Sequence, residues 1–492
     1  MFNYLKNNLK EILFSKKFID AILLSIICLF IGIIEYIVNW DFEDIGVSYL
    51  FNASYSFGFF SILIFIAPII SAMPYSLSYF EHDKNNDDIS KNKKFIMKLF
   101  TNFIVGGLVL SISIIIYIII IILLFGINRN DINLININYV LKENQYLYLL
   151  NEIIFSFIFG ATFANITMCL YIILKNKYLS ILTSVFFNIF TVAVLDKISI
   201  YLNSQIIYSF CIYPQIGYVP RIVYFIVINT IFVSLSLYYN NTNNNINYKK
   251  IYKYFIYFSV GMLIFFKVNR FINIYGYKSN FLEFLIEFFN DLYTIPYFIS
   301  FCVLMMIYKF FSVESIKEYS IKDIMLLVLY KIIILYIFIF FISFILSIGK
   351  MNFKFNWSNS FFNINENIKS IYKLYTPLTI LIISLINSFY YLFIISVVCI
   401  ITFRISLNDT FSTIVTTFLI IFGIASYIGR IEFLKMLSPV NYSLTIVHSL
   451  ERSIPSIIFI SIIYWIIMSV IISYIYLNFK LNKGSDKNEE YN

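Results

Sequence analysis

The run VGGLVLSISIIIYIIIIILLF, from Val105 to Phe125, holds 21 consecutive residues without an acid, a lysine or an arginine. A helix rises about 1.5 Å per residue, so about 20 such residues cross the roughly 30 Å of bilayer hydrocarbon. In water this surface would have no polar face to present. In lipid it needs none, because a helix satisfies its own backbone hydrogen bonds. The run is too continuous for a barrel strand, which alternates apolar and polar residues over about ten positions. The stretch therefore predicts an all-α membrane protein.

The rest of the chain follows the same pattern. Around the run at 97–126, further apolar spans are expected at 18–38, 57–80, 149–174, 178–199 and 217–239. A second set is expected at 254–268, 290–312, 323–348, 374–403, 410–429 and 455–479, giving about 12 transmembrane helices. The 492 residues are 60% hydrophobic and 13% charged, against about 25% charged in soluble domains. Too little polar surface remains to clothe a soluble fold. The first apolar run lacks a following small-residue cleavage site and is read as a retained span. Phe and Tyr are abundant, at 55 and 41 copies. An A+T-rich coding sequence accounts for that excess, so it carries no functional weight here.

Charge sets the expected orientation. With the amino terminus in the cytoplasm, inner segments of the first half hold Lys6, Lys10, Lys16, Lys17, Lys84, Lys91, Lys93, Lys94, Lys175 and Lys177. The outer loops hold only Arg129 and Lys142. Basic residues stay on the cytoplasmic side, so both termini are expected there, in a cell membrane. The net charge of +9 reflects these loops and implies no nucleic-acid partner. The five cysteines form no C-x-x-C pair and read as small buried hydrophobes. With two histidines in the chain, no metal site is expected.

The chain reads as two similar six-helix halves: 1–240 with an amino-terminal helix, a polar cytoplasmic linker at 241–253, a second half at 254–480 and a polar tail at 481–492. Glu81 pairs with Glu314, Lys175 with Arg404, and Pro214 with Pro439, at nearly constant offsets. An even number of spans per half makes the repeat parallel. The first residues alternate apolar Leu5, Leu9 and Ile12 with Lys6 and Lys10 at helical spacing. They form either an amphipathic helix in the membrane interface or a basic anchor for the first span.

Pro68 and Pro74 fall inside the second expected span, where a missing N–H frees a carbonyl and permits a kink. Glu81, His82, Asp83 and Lys84 follow at its cytoplasmic end. The stretch from Pro68 to Gly107 resembles the second and third spans of bacterial ABC-2-type exporter permeases. Pro68, Ile69, Pro74, Ser78 and Glu81 match a P-I-x-x-x-x-P-x-x-x-S-x-x-E run, and Gly106-Gly107 match the small residues of span three. The Gly usual after the acidic residue is absent, and lysines replace a loop Arg. The likeness covers about 200 residues of the first half and reaches Glu314, Lys317, Glu318, Arg404, Ser438 and Pro439 through the repeat.

The resemblance implies a membrane subunit whose amino-terminal helix and short polar segments, Glu81–Lys94 and Glu314–Lys322, dock onto a separate ATPase, with two copies for two halves. It also implies that the outer segments 200–216 and 430–454, with Pro214 and Pro439, dip back into the membrane. The chain has no G-x-x-x-x-G-K-[ST] phosphate loop, so ATP would be used by the partner, and no cofactor is expected in this chain.

Two other classes fit parts of the sequence. Lys331, well inside a span, suggests an ion-coupled transporter. Glu35, Asp196, Lys197, Lys309 and Arg404 lie near span ends, where snorkelling suffices. Asp41, Glu43 and Asp44, on the first outer loop, suggest a membrane glycosyl- or phosphotransferase, but those enzymes carry a longer outer loop and a solvated acidic loop is the better reading. Asn165, Thr167, Asn188 and Asn387 lie within spans. They could line a path or bind helices to one another.

Overall fold

The computed structural model describes residues 2–34, 47–57, 61–79, 91–125, 145–242, 248–277, 279–308, 320–358, 361, 375–406, 409–429, 431–444 and 459–474. All regular structure among them is helical, apart from an isolated bridge between Asn280 and Asn352. Eight of the described helices are long and apolar enough to cross a membrane, nine when a bent pair counts as one span. The chain divides into two compact units, Met1–Tyr252 with Ile428–Glu432, and Lys253–Tyr427 with Phe433–Asn492.

In the first unit, α1 (Phe2–Leu13) packs on α2 (Lys16–Gly32) and on α5 (Lys91–Phe125). It buries Ile12 and exposes Lys6, Lys10 and Glu11, as an amphipathic helix does. The Ser15 hydroxyl accepts from the Phe18 N–H and caps α2. The second expected span, 57–80, holds α4 (Leu63–Ala72) and a 3-10 turn (Ser76–Ser78), and is preceded by α3 (Val47–Asn52) and a π-helical turn (Ala53–Phe57). Pro68 lies inside α4, and Pro74 follows its end. Lacking an N–H, Pro68 cannot donate to the carbonyl of Ile64, four residues back. Asn188 supplies the missing donor, its Nδ2 lying 3.1 Å from that oxygen.

Helix α5 packs closely on α6 (Gln145–Leu174) because glycines meet at the crossing. A Cβ on Gly106 would stand 2.3 Å from the Ala164 Cβ, and one on Gly160 would stand 2.5 Å from the Gly106 carbonyl oxygen. Two residues then turn the chain into α7 (Lys177–Ala193). Lys175 adopts φ +52°, and the Asn176 side chain accepts from the Leu179 N–H at 2.8 Å. Helix α8 (Tyr218–Thr242) packs along α6.

The second unit begins in α9 (Tyr248–Tyr275), so helix occupies part of the stretch expected as linker and extends well past the short span at 254–268. Next come α10 (Phe281–Asn290), a π-helical turn (Tyr293–Ile299) and α11 (Ser300–Met306), bent by 58° at the break. A reciprocal capping box between Ser320 and Asp323 starts α12 (Ile321–Ser347). After it come α13 (Pro377–Ser406), α14 (Asp409–Ile428), α15 (Glu432–Leu437) and α16 (Pro439–Ser443). A further apolar helix, α17 (Phe459–Tyr474), follows.

Among the described residues fewer than twelve helices are long enough to span, for identifiable reasons. Helix α4 has ten residues and ends just before Pro74. Helix α2 has 17 residues before the undescribed stretch 35–46, and α17 ends where description ends.

Candidate functional site

The most elaborate polar construction in the first unit lies between α7 and α8. The chain leaves α7 at Ala193 and makes three 3-10 turns, Leu195–Lys197, Ile200–Leu202 and Ser204–Ile207, before α8 starts at Tyr218. Ser204, Ile206, Ile207, Tyr208 and Phe210 are all buried. The Tyr208 ring stacks on Tyr55, with centroids 4.4 Å apart, and meets Phe159 of α6 edge-on at 4.8 Å. Phe159 lies 14 residues into α6, about 20 Å along its axis at helical rise. The segment thus folds back into the helix bundle instead of crossing its end.

Burying irregular backbone requires a partner for each freed polar group. One side chain supplies acceptors and another supplies donors. Glu152, fully buried on α6, accepts through Oε1 from Ser209 Oγ at 3.1 Å, Phe210 N at 3.0 Å and Cys211 N at 3.2 Å. Arg221, 1% exposed in the first turn of α8, donates to carbonyls of the segment itself. Its Nη1 reaches Ile206 and Ser209 (2.9 Å), its Nη2 Phe210 (3.4 Å) and Tyr213 (2.6 Å), and its Nε Ile216 (3.2 Å). A planar guanidinium is the side chain able to serve so many acceptors at once. Its carbon also lies 4.5 Å from the Phe210 ring centroid, a cation–π contact. The two opposite charges share one buried region and offset each other's desolvation.

The rest of the segment is pinned by neutral groups. Tyr55 and Tyr208 exchange hydroxyl-to-carbonyl bonds at 2.9 and 3.1 Å. Ser56 bonds Ser209 at 2.8 Å, and Ser204 donates to Asn188 Oδ1 at 2.6 Å. Asp196 accepts from Asn203 at 3.0 Å and Tyr213 at 3.2 Å. Burial, then the Asp196 carboxylate, raises the Tyr213 phenol above its ordinary range. Burial, then Glu152, pushes the Cys211 thiol up to about 12.

Deeper in the unit, a neutral chain crosses four elements. Ser76 donates to Asn102 at 2.8 Å, Asn102 to Asn165 at 3.2 Å, Asn165 to Asn229 at 3.4 Å and Asn229 to Thr162 at 3.2 Å. Lys98, 1% exposed, donates to the Tyr79 carbonyl at 2.6 Å and holds the end of the broken second span against α5.

The second unit has parallel devices. Glu283 accepts from the Ser358 hydroxyl at 2.7 Å and from its backbone N–H. Lys267 of α9 pairs with Asp291 at the α10 bend, 2.9 Å apart. Asn290 donates to Ser384 of α13 at 2.8 Å, and Tyr391 donates to the Pro296 carbonyl at 3.1 Å.

The residues singled out in the sequence divide clearly. Asn165 and Asn188 are joints of buried hydrogen-bond chains. Asn387 is buried on α13 and lines a groove beside α17. Lys331 is half-buried on α12, its Nζ 5.9 Å from the Tyr330 ring centroid. Pro214 lies in the folded-back segment, and Pro439 opens α16, where Ser438 donates to the Gly423 carbonyl at 2.6 Å. Glu81, His82, Asp83, Lys84, Glu314, Lys317, Glu318, Asp41, Glu43 and Asp44 lie outside the described residues. Glu152, Arg221, Glu283, Lys267 and Asp291 were not singled out. Their signal was available, since each is an ionisable residue inside or bordering an apolar run.

These apolar helices and their internally satisfied polar groups define a polytopic helical membrane protein. No family model matches the chain, and no curated protein or solved structure matches it.

Proposed function

We propose that the chain is the membrane-spanning subunit of an ABC-type exporter, working by alternating access and driven by a separate ATPase. The observation that carries the reading is the 195–217 segment, folded back into the bundle and fixed by Glu152 and Arg221. The resemblance to ABC-2-type permeases implies such a segment at this place in the chain.

The amphipathic α1 and the proline-broken second span agree with the same resemblance. The reading takes twelve spans in two halves with both termini cytoplasmic. In its support, a proline inside a helical element of the first unit, Pro68, has a counterpart in the second unit at Pro296, there within a π-helical turn. Pro296 follows Pro68 by the same interval that separates Ser384 from Ser156. The loops at Glu81–Lys84 and Glu314–Glu318 then leave the two broken spans on the cytoplasmic side, where two ATPase copies would push on them. The cargo class taken from the resemblance is an amphipathic peptide, antibiotic or lipid.

The test is purification of the tagged chain from its host in mild detergent, with partner stoichiometry by mass spectrometry. The expected result is a phosphate-loop ATPase, whose hydrolysis is stimulated by the chain and which is lost when Glu81–Lys84 becomes alanine. Transport by the chain alone, in vesicles without ATP, overturns the proposal. The second reading, ion-coupled transport, draws on the Lys267–Asp291 pair and Lys331 inside apolar helices. It requires that Lys331→Ala abolish transport and that protonophores inhibit it.

A further inference from the structure

Glu152 gathers its three donors on one oxygen. Ser209 Oγ, Phe210 N and Cys211 N all reach Oε1, whereas Oε2 is buried with no hydrogen-bond partner. Arg221 does not serve it, since its bonds run to carbonyls of the segment. A carboxylate accepts through both oxygens, and an ionised oxygen buried bare is costly.

One turn earlier on α6, Tyr148 stands beside this carboxyl. Its hydroxyl donates to Oδ1 of Asn52, the last residue of α3, and Nδ2 of Asn52 is itself buried without a partner. All three side chains are at most 1% exposed. The two orphaned atoms thus end one short chain, an acceptor at Glu152 and a donor at Asn52. A hydroxyl both donates and accepts, and a primary amide offers either its oxygen or its NH2 group, so this chain can run in both directions. With a proton on Oε2, Glu152 donates to Tyr148, and Tyr148 donates to Asn52 Oδ1. Without it, Asn52 turns its amide and donates through Nδ2 to Tyr148, and Tyr148 donates to Oε2. Oε2 is satisfied in both states.

We propose that Glu152 is a proton-binding site, taking a proton on Oε2 from hydronium and returning it to water, while Tyr148 and Asn52 reverse their hydrogen bonds to match. The proton also discharges Oε1, and charge-assisted hydrogen bonds are roughly twice as strong as neutral ones. Acid therefore weakens the hold on Ser209, Phe210 and Cys211 and loosens the folded-back segment. Among the described residues, the titratable and charged groups facing Glu152 are Tyr148 of its own helix, Tyr55 of the π-helical turn, Tyr208 and Cys211 of the segment, and Arg221 of α8. Cys28 of α2 faces Tyr208 in turn. Phenols, thiols and guanidinium groups do not ordinarily change charge between mildly acidic and neutral pH, so a proton taken up there belongs to Glu152. The inference rests on these residues and not on what drives the protein or on its cargo.

The full-length chain in nanodiscs is followed by infrared difference spectroscopy between mildly acidic and mildly alkaline buffer. The expected signal is a carboxylic-acid C=O band that appears in acid and is missing from Glu152→Gln. In Tyr148→Phe, which keeps the ring and removes the hydroxyl, the same band is displaced. If Glu152→Gln removes no band, or removes one that is constant across the pH range, the proposal is overturned. A band unmoved in Tyr148→Phe overturns the reversing chain. Hydrogen exchange of the unaltered protein gives an independent reading. Corrected for its intrinsic pH dependence, exchange within residues 204–217 rises about tenfold in acid, and Glu152→Gln abolishes that dependence. Equal corrected exchange in acid and alkali overturns the proposal even if the variants fail to fold.

Discussion

Replacing Glu152 by alanine should release the folded-back segment, and the size of the effect can be worked from its bonds. The carboxylate accepts from Ser209 Oγ, Phe210 N and Cys211 N. Two of these donors have a fallback. Ser209 also lies 2.8 Å from Ser56, and Cys211 N also lies 3.1 Å from Ser209 Oγ. The Phe210 N–H is left buried without an acceptor, at a cost of about 1–3 kcal/mol. Arg221 also loses a nearby opposing charge, while its own bonds to the segment's carbonyls stay in place. The segment should loosen by roughly 2 kcal/mol, about a thirtyfold rise in its open fraction.

Cys211 reports that opening. Its thiol is pushed up to about 12, from the ordinary range near 9, so at neutral pH it is almost wholly protonated and reacts slowly. The sign follows directly. Raising the pH towards 12 increases the thiolate tenfold per unit, and opening the segment removes the burial that raised the pKa. Labelling with a membrane-impermeant maleimide, read by peptide mass spectrometry, should be faster in Glu152→Ala by one to two orders of magnitude. Glu152→Gln keeps one acceptor oxygen and should fall between. A folded Glu152→Ala variant with unchanged Cys211 labelling would refute the assignment of Glu152 as the latch.

Other expectations follow from single contacts. Asn188→Ala strands the Ile64 carbonyl and should cost about 1–3 kcal/mol. Pro68→Ala returns an N–H to that carbonyl, so the double variant should melt closer to the parent than the Asn188→Ala single variant does. Additive losses in that cycle would reject the pairing. Gly160→Ala places a Cβ 2.5 Å from the Gly106 oxygen, so α5 and α6 must part. Overpacking of this kind costs about 1–3 kcal/mol, visible as a lower melting midpoint in detergent. Lys98→Met keeps the stem but removes the donor to Tyr79, and should raise proteolysis after residue 79 without lowering the melting midpoint by much.

The sequence by itself determined the solvent and the secondary structure. Runs such as 105–125 leave a helix in lipid as the one arrangement that satisfies both side chains and backbone. Composition therefore fixed the fold class, and Pro74 marked the end of α4. The same one-dimensional reading counted twelve spans by hydropathy alone. It could not register that α4 stops after ten residues, just before Pro74, nor that α9 continues past Lys267 and Arg270. In α9, Asp291 neutralises Lys267 from a helix more than twenty residues away.

Asn165 and Asn188 were visible as polar residues in apolar runs. Whether they lined a path or joined helices depended on partners such as Asn102, Asn229 and the Ile64 carbonyl, distant in sequence. Glu152 and Arg221 fall near span ends, where a charge ordinarily reaches water. Only the tertiary structure turned them inward, because a segment of irregular backbone packed against them and its N–H and C=O groups had to be satisfied away from water. Local pattern specifies which groups must avoid water. Which groups then satisfy one another is decided by packing between residues that the sequence keeps far apart.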